Sequence, residues 1–263
     1  MNLPFFWIDA FTDHVFAGNP AGVVPLEDWL PDSVMQRIAF ENGFSETAFF
    51  VRTGPARFHL RWFTPAIEVE LCGHATLASA FTLFAHLGQA GDVVTFDSRS
   101  GPLVASRQGT DRVELDFPAQ PAEAAAATAE LVEALGRQPE FCARTGTRWL
   151  CILEKASEVR AFRPDPARFA RVSPGRIIIT APGDGDCDFV SRFFAPDAGV
   201  PEAPVTGSAH CTLTPYWSNR LGKTSLHARQ VSARGGELWC AMAGGRVKIA
   251  GQAAAYMRGQ LSV

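Results

Sequence analysis

Glu46 lies in Ser45-Glu46-Thr47-Ala48-Phe49-Phe50, a carboxylate at the start of a strongly apolar segment with aromatic neighbours. Burial against phenylalanine disfavours an ionised carboxyl and would raise its pKa toward neutrality, where the group can both take and return a proton. General acid–base catalysis is the chemistry this placement suggests. Equally, a glutamate here would serve as an ordinary strand end in water or in a salt bridge with Arg61. A second signal is an internal echo. Arg61-Trp62-Phe63-Thr64-Pro65 returns as Arg192-Phe193-Phe194-Ala195-Pro196, and each copy runs through a short acidic loop to a glycine that opens a helix. These openings read Gly73-His74-Ala75-Thr76-Leu77 and Gly207-Ser208-Ala209-His210-Cys211. From Pro65 to Gly73 is 8 positions and from Pro196 to Gly207 is 11, so the second copy carries a three-residue insertion.

A helix N-terminus presents backbone N–H groups without intrahelical partners and the positive end of the macrodipole, so it favours an anion. Glycine there lets a ligand come close to the backbone. Singly, Gly73 and Gly207 are as readily plain strand-to-helix turns. The repeat favours a site, and predicts two similar lobes whose helix starts converge on one cleft that holds a small anion. His74 and Ser208 take equivalent places in the echo, and either can trade a proton or hydrogen-bond a carboxylate. Arg61 and Arg192 could grip a carboxylate with two bonds, but strand positions place them in ion pairs.

The elements that must position these groups follow from periodicity. Short apolar or alternating runs predict strands over 5–11, 48–52, 58–63, 93–97, 103–107 and 112–116, then 148–154, 176–180, 189–194 and from 227 onward. Asp32 to Asn42 reads as a helix with Asp32 as its N-cap and Gly43 past its end. Residues 75–87 are apolar all round and predict a buried helix, and a further helix is predicted over 208–221. A turn to Pro, Ala, Gln and Glu around 118–130 marks a connector. The lobes are therefore placed at 1–117 and 118–253, with the last strand, about 254–263, available to join the first.

Composition narrows the functional classes. The 263 residues are 47% hydrophobic and 19% charged, which excludes disorder, and a net charge of −3 with scattered Lys and Arg gives no footprint for nucleic acid or an anionic membrane. Six cysteines far apart, with no Cys-x-x-Cys, suit a reducing cytosol. No apolar run reaches the roughly 18 residues that span a bilayer, and the N-terminus reads as a strand rather than a signal peptide. A soluble cytoplasmic protein is expected. Phosphate-binding, metalloprotease, hydrolase-elbow and dinucleotide motifs are absent. Asp184-Gly185-Asp186-Cys187-Asp188 has the alternation of a calcium loop but lacks its glycine at the sixth position, and reads as a solvated turn.

The segments Phe16-Ala17-Gly18-Asn19-Pro20-Ala21, Ser45-Glu46-Thr47-Ala48-Phe49, Arg61-Trp62-Phe63-Thr64-Pro65, Leu71-Cys72-Gly73-His74-Ala75-Thr76 and Val205-Thr206-Gly207-Ser208-Ala209-His210-Cys211 occur in order along nearly the whole chain. Together they resemble the successive signatures of the PhzF-like proteins of phenazine biosynthesis. The resemblance implies an α+β fold like that of diaminopimelate epimerase, with two pseudo-symmetric lobes, each a curled mixed sheet around a central helix. It implies a homodimer, no metal and no organic cofactor. In that family the glutamate matching Glu46 shuttles the proton of an isomerase acting on trans-2,3-dihydro-3-hydroxyanthranilate. The resemblance gives His74 and Ser208 catalytic places, and gives substrate contacts to Asn19, Gly73, Ala75, Thr206, Gly207 and Ala209. The chain departs from the family at one point. Where the family reads Glu-Asp-Pro-Val-Thr-Gly-Ser, this chain has Glu202-Ala203-Pro204-Val205-Thr206-Gly207-Ser208, so a carboxylate that helps bind the substrate's polar groups is missing unless Glu202 swings in.

Two other functions compete. A racemase or epimerase of this fold needs a thiol on each face of its substrate. Cys72 adjoins the first helix start, but its counterpart is Thr206, and Cys211 lies a turn deeper. A ligand-binding homologue with little or no catalysis is the other, with Ala203 as its first sign and the retained Glu46 and His74 against it.

Overall fold

The computed structural model describes residues 1–263 and divides into two units, 1–117 with 249–263, and 118–248. The chain therefore returns to the first unit at Ile249, a few residues before the predicted 254. The first unit is built from β1 (Asn2–Ala10), β2 (Asn19–Leu26), α1 (Asp32–Asn42), β3 (Thr47–Gly54), β4 (Arg57–Phe63), β5 (Glu68–Val69), α2 (Gly73–His86), β6 (Val93–Ser98), β7 (Gly101–Gln108) and β8 (Arg112–Pro118). The second holds β9 (Glu123–Ala124), α3 (Ala129–Leu135), β10 (Phe141–Arg144), β11 (Trp149–Ile152), α4 (Ala156–Ala161), α5 (Pro166–Phe169), β12 (Ile177–Pro182), β13 (Phe189–Ala195), β14 (Val200–Ala203), α6 (Gly207–Leu221), β15 (Ser225–Gln230) and β16 (Gly236–Ala243). Strand β17 (Arg246–Gly251) leads back to the first unit, where β18 (Ala253–Ser262) ends the chain against β1.

In the first unit the mixed sheet runs β18-β1-β2-β3-β4-β6-β7-β8, with parallel pairing at β2–β3 and β4–β6 and β5 set antiparallel on β4. Helix α2 packs on β1, β2, β3, β7 and β18. One helix can touch strands so far apart in the sheet order only if the sheet curls around it. Its polar residues Thr76, Ser79 and Thr82 are buried, and each hydroxyl bonds a carbonyl one turn back at 2.6–2.8 Å, so these three hydroxyls are satisfied within the helix.

The second unit repeats this topology. Here β11 runs parallel to β12, β12 antiparallel to β13, β13 parallel to β15 and β15 antiparallel to β16, while β14 sits antiparallel on β13 as β5 does on β4. The echo also keeps register. Phe63 pairs with Thr47 and Phe194 with Ile177, so the two copies superpose strand by strand. Around α6 the core closes with Trp217 stacked on Phe189 and its indole N–H on Thr180 Oγ1 at 3.0 Å.

Several boundaries differ from the predictions. Asp32 is the first helical residue rather than the cap of α1; the cap position is Pro31, and the Asp32 carboxylate turns to Arg61 Nη1 at 2.9 Å. Helix α2 starts two residues earlier than predicted, because the Thr76 amide already bonds the carbonyl of Cys72. Strand β1 stops at Ala10 where Phe11 turns to φ 65°. Strand β2, with prolines at 20 and 25, and the small helices α4 and α5 were not apparent from periodicity. All six cysteines are free and buried. The three aspartates of the 184–188 run are bonded to Arg160, Arg229 and Lys223, so that turn is held by basic side chains. No helix is long and apolar enough to cross a membrane.

Candidate active site

Glu46 sits in the link between α1 and β3. Gly43, at φ 67°, caps α1 by donating to Ala39 O, and buried Phe44 then packs on Phe5 and Trp7. The link is therefore pinned on both sides of a half-buried Glu46. Its Oε2 lies 3.4 Å from Nε2 of His74, the second residue of α2. The other nitrogen of that ring, Nδ1, lies 3.4 Å from Sγ of Cys72, the N-cap of α2. Arg61 does not compete for Glu46: it forks onto Glu68 with two bonds of 2.8 Å.

Burial lowers the pKa of His74, outweighing the opposing pull of the Glu46 carboxylate, so the imidazole is neutral at neutral pH. Burial first, and the nearby Glu46 charge second, push the Cys72 thiol well above its ordinary value. A neutral imidazole has one N–H. Of its two ring nitrogens, Nδ1 lies in hydrogen-bond range of Cys72 Sγ, while Nε2 faces Glu46 Oε2 at 3.4 Å without hydrogen-bond geometry. Glu46 also lies within hydrogen-bond reach of the Cys72 thiol, so the three groups form a mutual cluster. Carboxylate oxygen, thiol and imidazole nitrogen also lie within 4.8 Å of one another and are the donors a metal would find here.

Helix α2 and helix α6 both lack a side-chain cap at their N-termini, whereas Thr128 caps α3 and Asp165 caps α5. The two helix starts singled out by the echo thus keep their first-turn amides unclaimed by side chains. Neither Gly73 nor Gly207 adopts a positive φ, so backbone conformation does not demand glycine at these two places. Gly18 is different: at φ 63° a Cβ would stand 2.2 Å from Ala10 O, and its turn delivers buried Asn19 to the start of β2.

The structure gathers Glu46, Gly73, His74 and Ala75 in the first unit. In the second, Thr206 is the N-cap of α6, followed by Gly207, Ser208 and Ala209 in its first turn, so Ser208 matches His74 as second helical residue. Buried Gln230 clamps this start, accepting from the Thr206 amide at 2.9 Å and donating to Ala203 O at 2.8 Å. Ala203 itself is buried. Glu202 does not supply the missing carboxylate, because Arg192 holds both its oxygens, at 2.6 and 2.8 Å. This Arg192–Glu202 fork repeats Arg61–Glu68, and the sequence analysis had missed both acidic partners. The signal was present, since Glu68 follows Arg61 by 7 positions and Glu202 follows Arg192 by 10, the same three-residue offset as in the helix starts. Cys211 does not act as a second reactive thiol, since its Sγ reaches toward Gly207 O and burial pushes its pKa up to about 12.

A carboxylate beside a neutral imidazole at an open helix start thus sits on a duplicated α+β fold. A model of the phenazine biosynthesis-like protein family, PhzC-PhzF, matches residues 8–259, and the chain belongs to that family. It is 51% identical over 261 residues to an uncharacterized isomerase of Pseudomonas aeruginosa, covering 99% of each chain, and 40% identical over 288 residues to the human phenazine biosynthesis-like domain-containing protein, covering 100% of each. Among solved structures, a PhzF-family protein of Enterococcus faecalis superposes with a TM-score of 0.96 at 43% identity over 100% of both chains. A hydroxyproline epimerase of Agrobacterium vitis shares the fold at a TM-score of 0.59 and 11% identity.

Proposed function

We propose that this protein is an isomerase that moves a proton on a small carboxylate-bearing metabolite, with Glu46 as the proton carrier and no cofactor or metal. The observation that carries the reading is Glu46 Oε2 at 3.4 Å from a buried, neutral His74 at the start of an uncapped helix. In this mechanism the Glu46 carboxylate removes a proton from a carbon acidified by a neighbouring unsaturated group, becomes the carboxylic acid, and returns the proton to another carbon of the same molecule. The His74 ring, 3.4 Å away, packs against Oε2 and limits where the carboxylate can swing. The amides of Gly73 and Ala75, and Asn19, hold the substrate, as do Thr206, Gly207 and Ala209, with the Ser208 hydroxyl as a second polar contact at the reacting system. The same reading makes the protein a cytoplasmic homodimer.

Membership of the family supports a substrate like trans-2,3-dihydro-3-hydroxyanthranilate, while Ala203 favours a relative of that compound lacking the group the family aspartate would meet. Ala203 also favours a second reading, a binder with weak catalysis. Turnover separates them. Glu46→Gln should lower turnover about a hundredfold to ten-thousandfold, the usual worth of a positioned acid–base group. His74→Asn, which loosens the carboxylate without removing it, should cost roughly tenfold to a hundredfold. A wild-type rate in Glu46→Gln would end the reading. Absence of turnover of dihydro-hydroxyanthranilate by the wild type would remove that substrate.

A further inference from the structure

Arg148 precedes β11, in the turn closed by the Thr145 amide on its own carbonyl, and is 6% exposed. Its one protein hydrogen bond runs from Nη1 to the carbonyl of Ser208 at 2.6 Å, and its Nε is buried with no partner. No carboxylate forms a salt bridge with it. A guanidinium hidden from water is costly unless an anion answers it. The charges it does feel are wrong in sign or not charged at all: Arg176 opposes its ionisation, and the Cys211 thiol beside it stays protonated because burial lifts its pKa to about 12. Nor does the β14–α6 connection help, since Glu202 is bound to Arg192 and Ala203, Pro204 and Val205 carry no charge. The positive end of the uncapped α6 adds to the same excess.

The repeat shows how specific this is. Because Thr47 corresponds to Ile177 and Gly22 to Trp149 in the two registers, Glu46 of the first unit corresponds to Arg176 of the second, and Ala21 to Arg148. Where one copy has a carboxylate just before β3 and an alanine early in β2, the other has arginines just before β12 and β11. One copy is equipped to take a proton, the other to hold a negative charge.

We propose that Arg148, at the start of α6, binds the carboxylate of the substrate and selects anionic substrates over their neutral analogues. This rests on the reading of α6 as a substrate-binding helix start given above. A carboxylate can accept two bonds from a planar guanidinium, a match that an ammonium does not reproduce.

Benzoate and its neutral isostere benzamide test this by calorimetric titration of wild type, Arg148→Met and Arg148→Lys. Wild type should prefer benzoate, and Arg148→Met should lose about tenfold to a hundredfold of benzoate affinity with benzamide unchanged. Arg148→Lys should fall between them. Equal binding of benzoate and benzamide by wild type, or undiminished benzoate affinity in a folded Arg148→Met, would overturn the assignment. If thermal melting shows Arg148→Met unfolded, Arg148→Lys decides, with a several-fold loss supporting and unchanged affinity refuting. Glu46→Gln in the same titration should bind benzoate as wild type does. A benzoate preference that depends on Arg148, in a protein whose turnover is indifferent to Glu46, would leave the anion site standing while the proton-transfer reading falls.

Discussion

Cys72 and His74 owe their protonation states to burial more than to charge, and burial has a cost that pH exposes. The same is true of His210 in α6, whose Nδ1 must carry its hydrogen because its partner, Thr206 O at 2.8 Å, can only accept. Desolvation lowers its pKa from 6.5 to about 4. The folded pKa lies below the unfolded one, so between these values the unfolded chain binds more protons. Stability from this residue is therefore complete above about pH 6.5 and is lost as pH falls toward 4, a difference of ~3 kcal/mol. His74, also depressed by burial, adds a loss of the same sign. Urea unfolding between pH 7 and 4 should show a shallower decline for His210→Phe than for wild type, and parallel curves would refute the assignment. At this scale the candidate residues Glu46, His74 and Ser208 could be named from the sequence because they lie in recognisable patterns, but Arg148 could not. Nothing in Thr145-Gly146-Thr147-Arg148 says that the arginine will be buried without a counter-ion.

Helices α2 and α6 need their first turns free, and the structure anchors them by other means. The paired strands ahead of each helix are locked by an arginine–glutamate fork, Arg61–Glu68 on β4–β5 and Arg192–Glu202 on β13–β14. The Arg192 side chain is only 8% exposed and also donates to the carbonyls of Val159 and Phe162. Removing its anion strands a buried charge, so Glu202→Ala should cost about 3 kcal/mol in denaturant unfolding. Glu133→Ala, which breaks the exposed pair with Arg171, should cost about 1 kcal/mol or less. Equal losses would show that the fork is no more than a surface pair. A tight turn also belongs to this scale: Gly18→Ala would force a Cβ into Ala10 O and should destabilise by roughly 2 kcal/mol or more, read as a fall in melting temperature. Most elements were legible because alternation in β3, β4 and β13 reports one buried face or two. Strand β2 was not, because its prolines are turn signals locally, whereas in the fold Pro20 lies opposite Asp9 of β1 and Pro25 opposite Phe50 of β3. The Asp32 cap failed for a long-range reason, the pull of Arg61 from β4.

Taken whole, the chain is a duplication that has kept its topology and changed its chemistry. The Arg-aromatic-Phe-x-Pro echo was visible in sequence because it carries the fork arginine and the strand core, both of which each copy needs to fold. What diverged was harder to read, since the change from Glu46 to Arg176 and from Ala21 to Arg148 becomes apparent only once strand register aligns the copies. In the proposed reading one copy supplies the carboxylate that moves the proton. The most direct measurement is the deuterium content, by mass spectrometry, of substrate and product recovered after incubation with enzyme in D2O. Because the half-buried Glu46 carboxylic acid exchanges with solvent between removal and return, wild type should place deuterium on the carbon that gains the proton, and Glu46→Gln should place none while still binding product. Deuterium incorporated equally by Glu46→Gln would contradict Glu46 as the proton carrier.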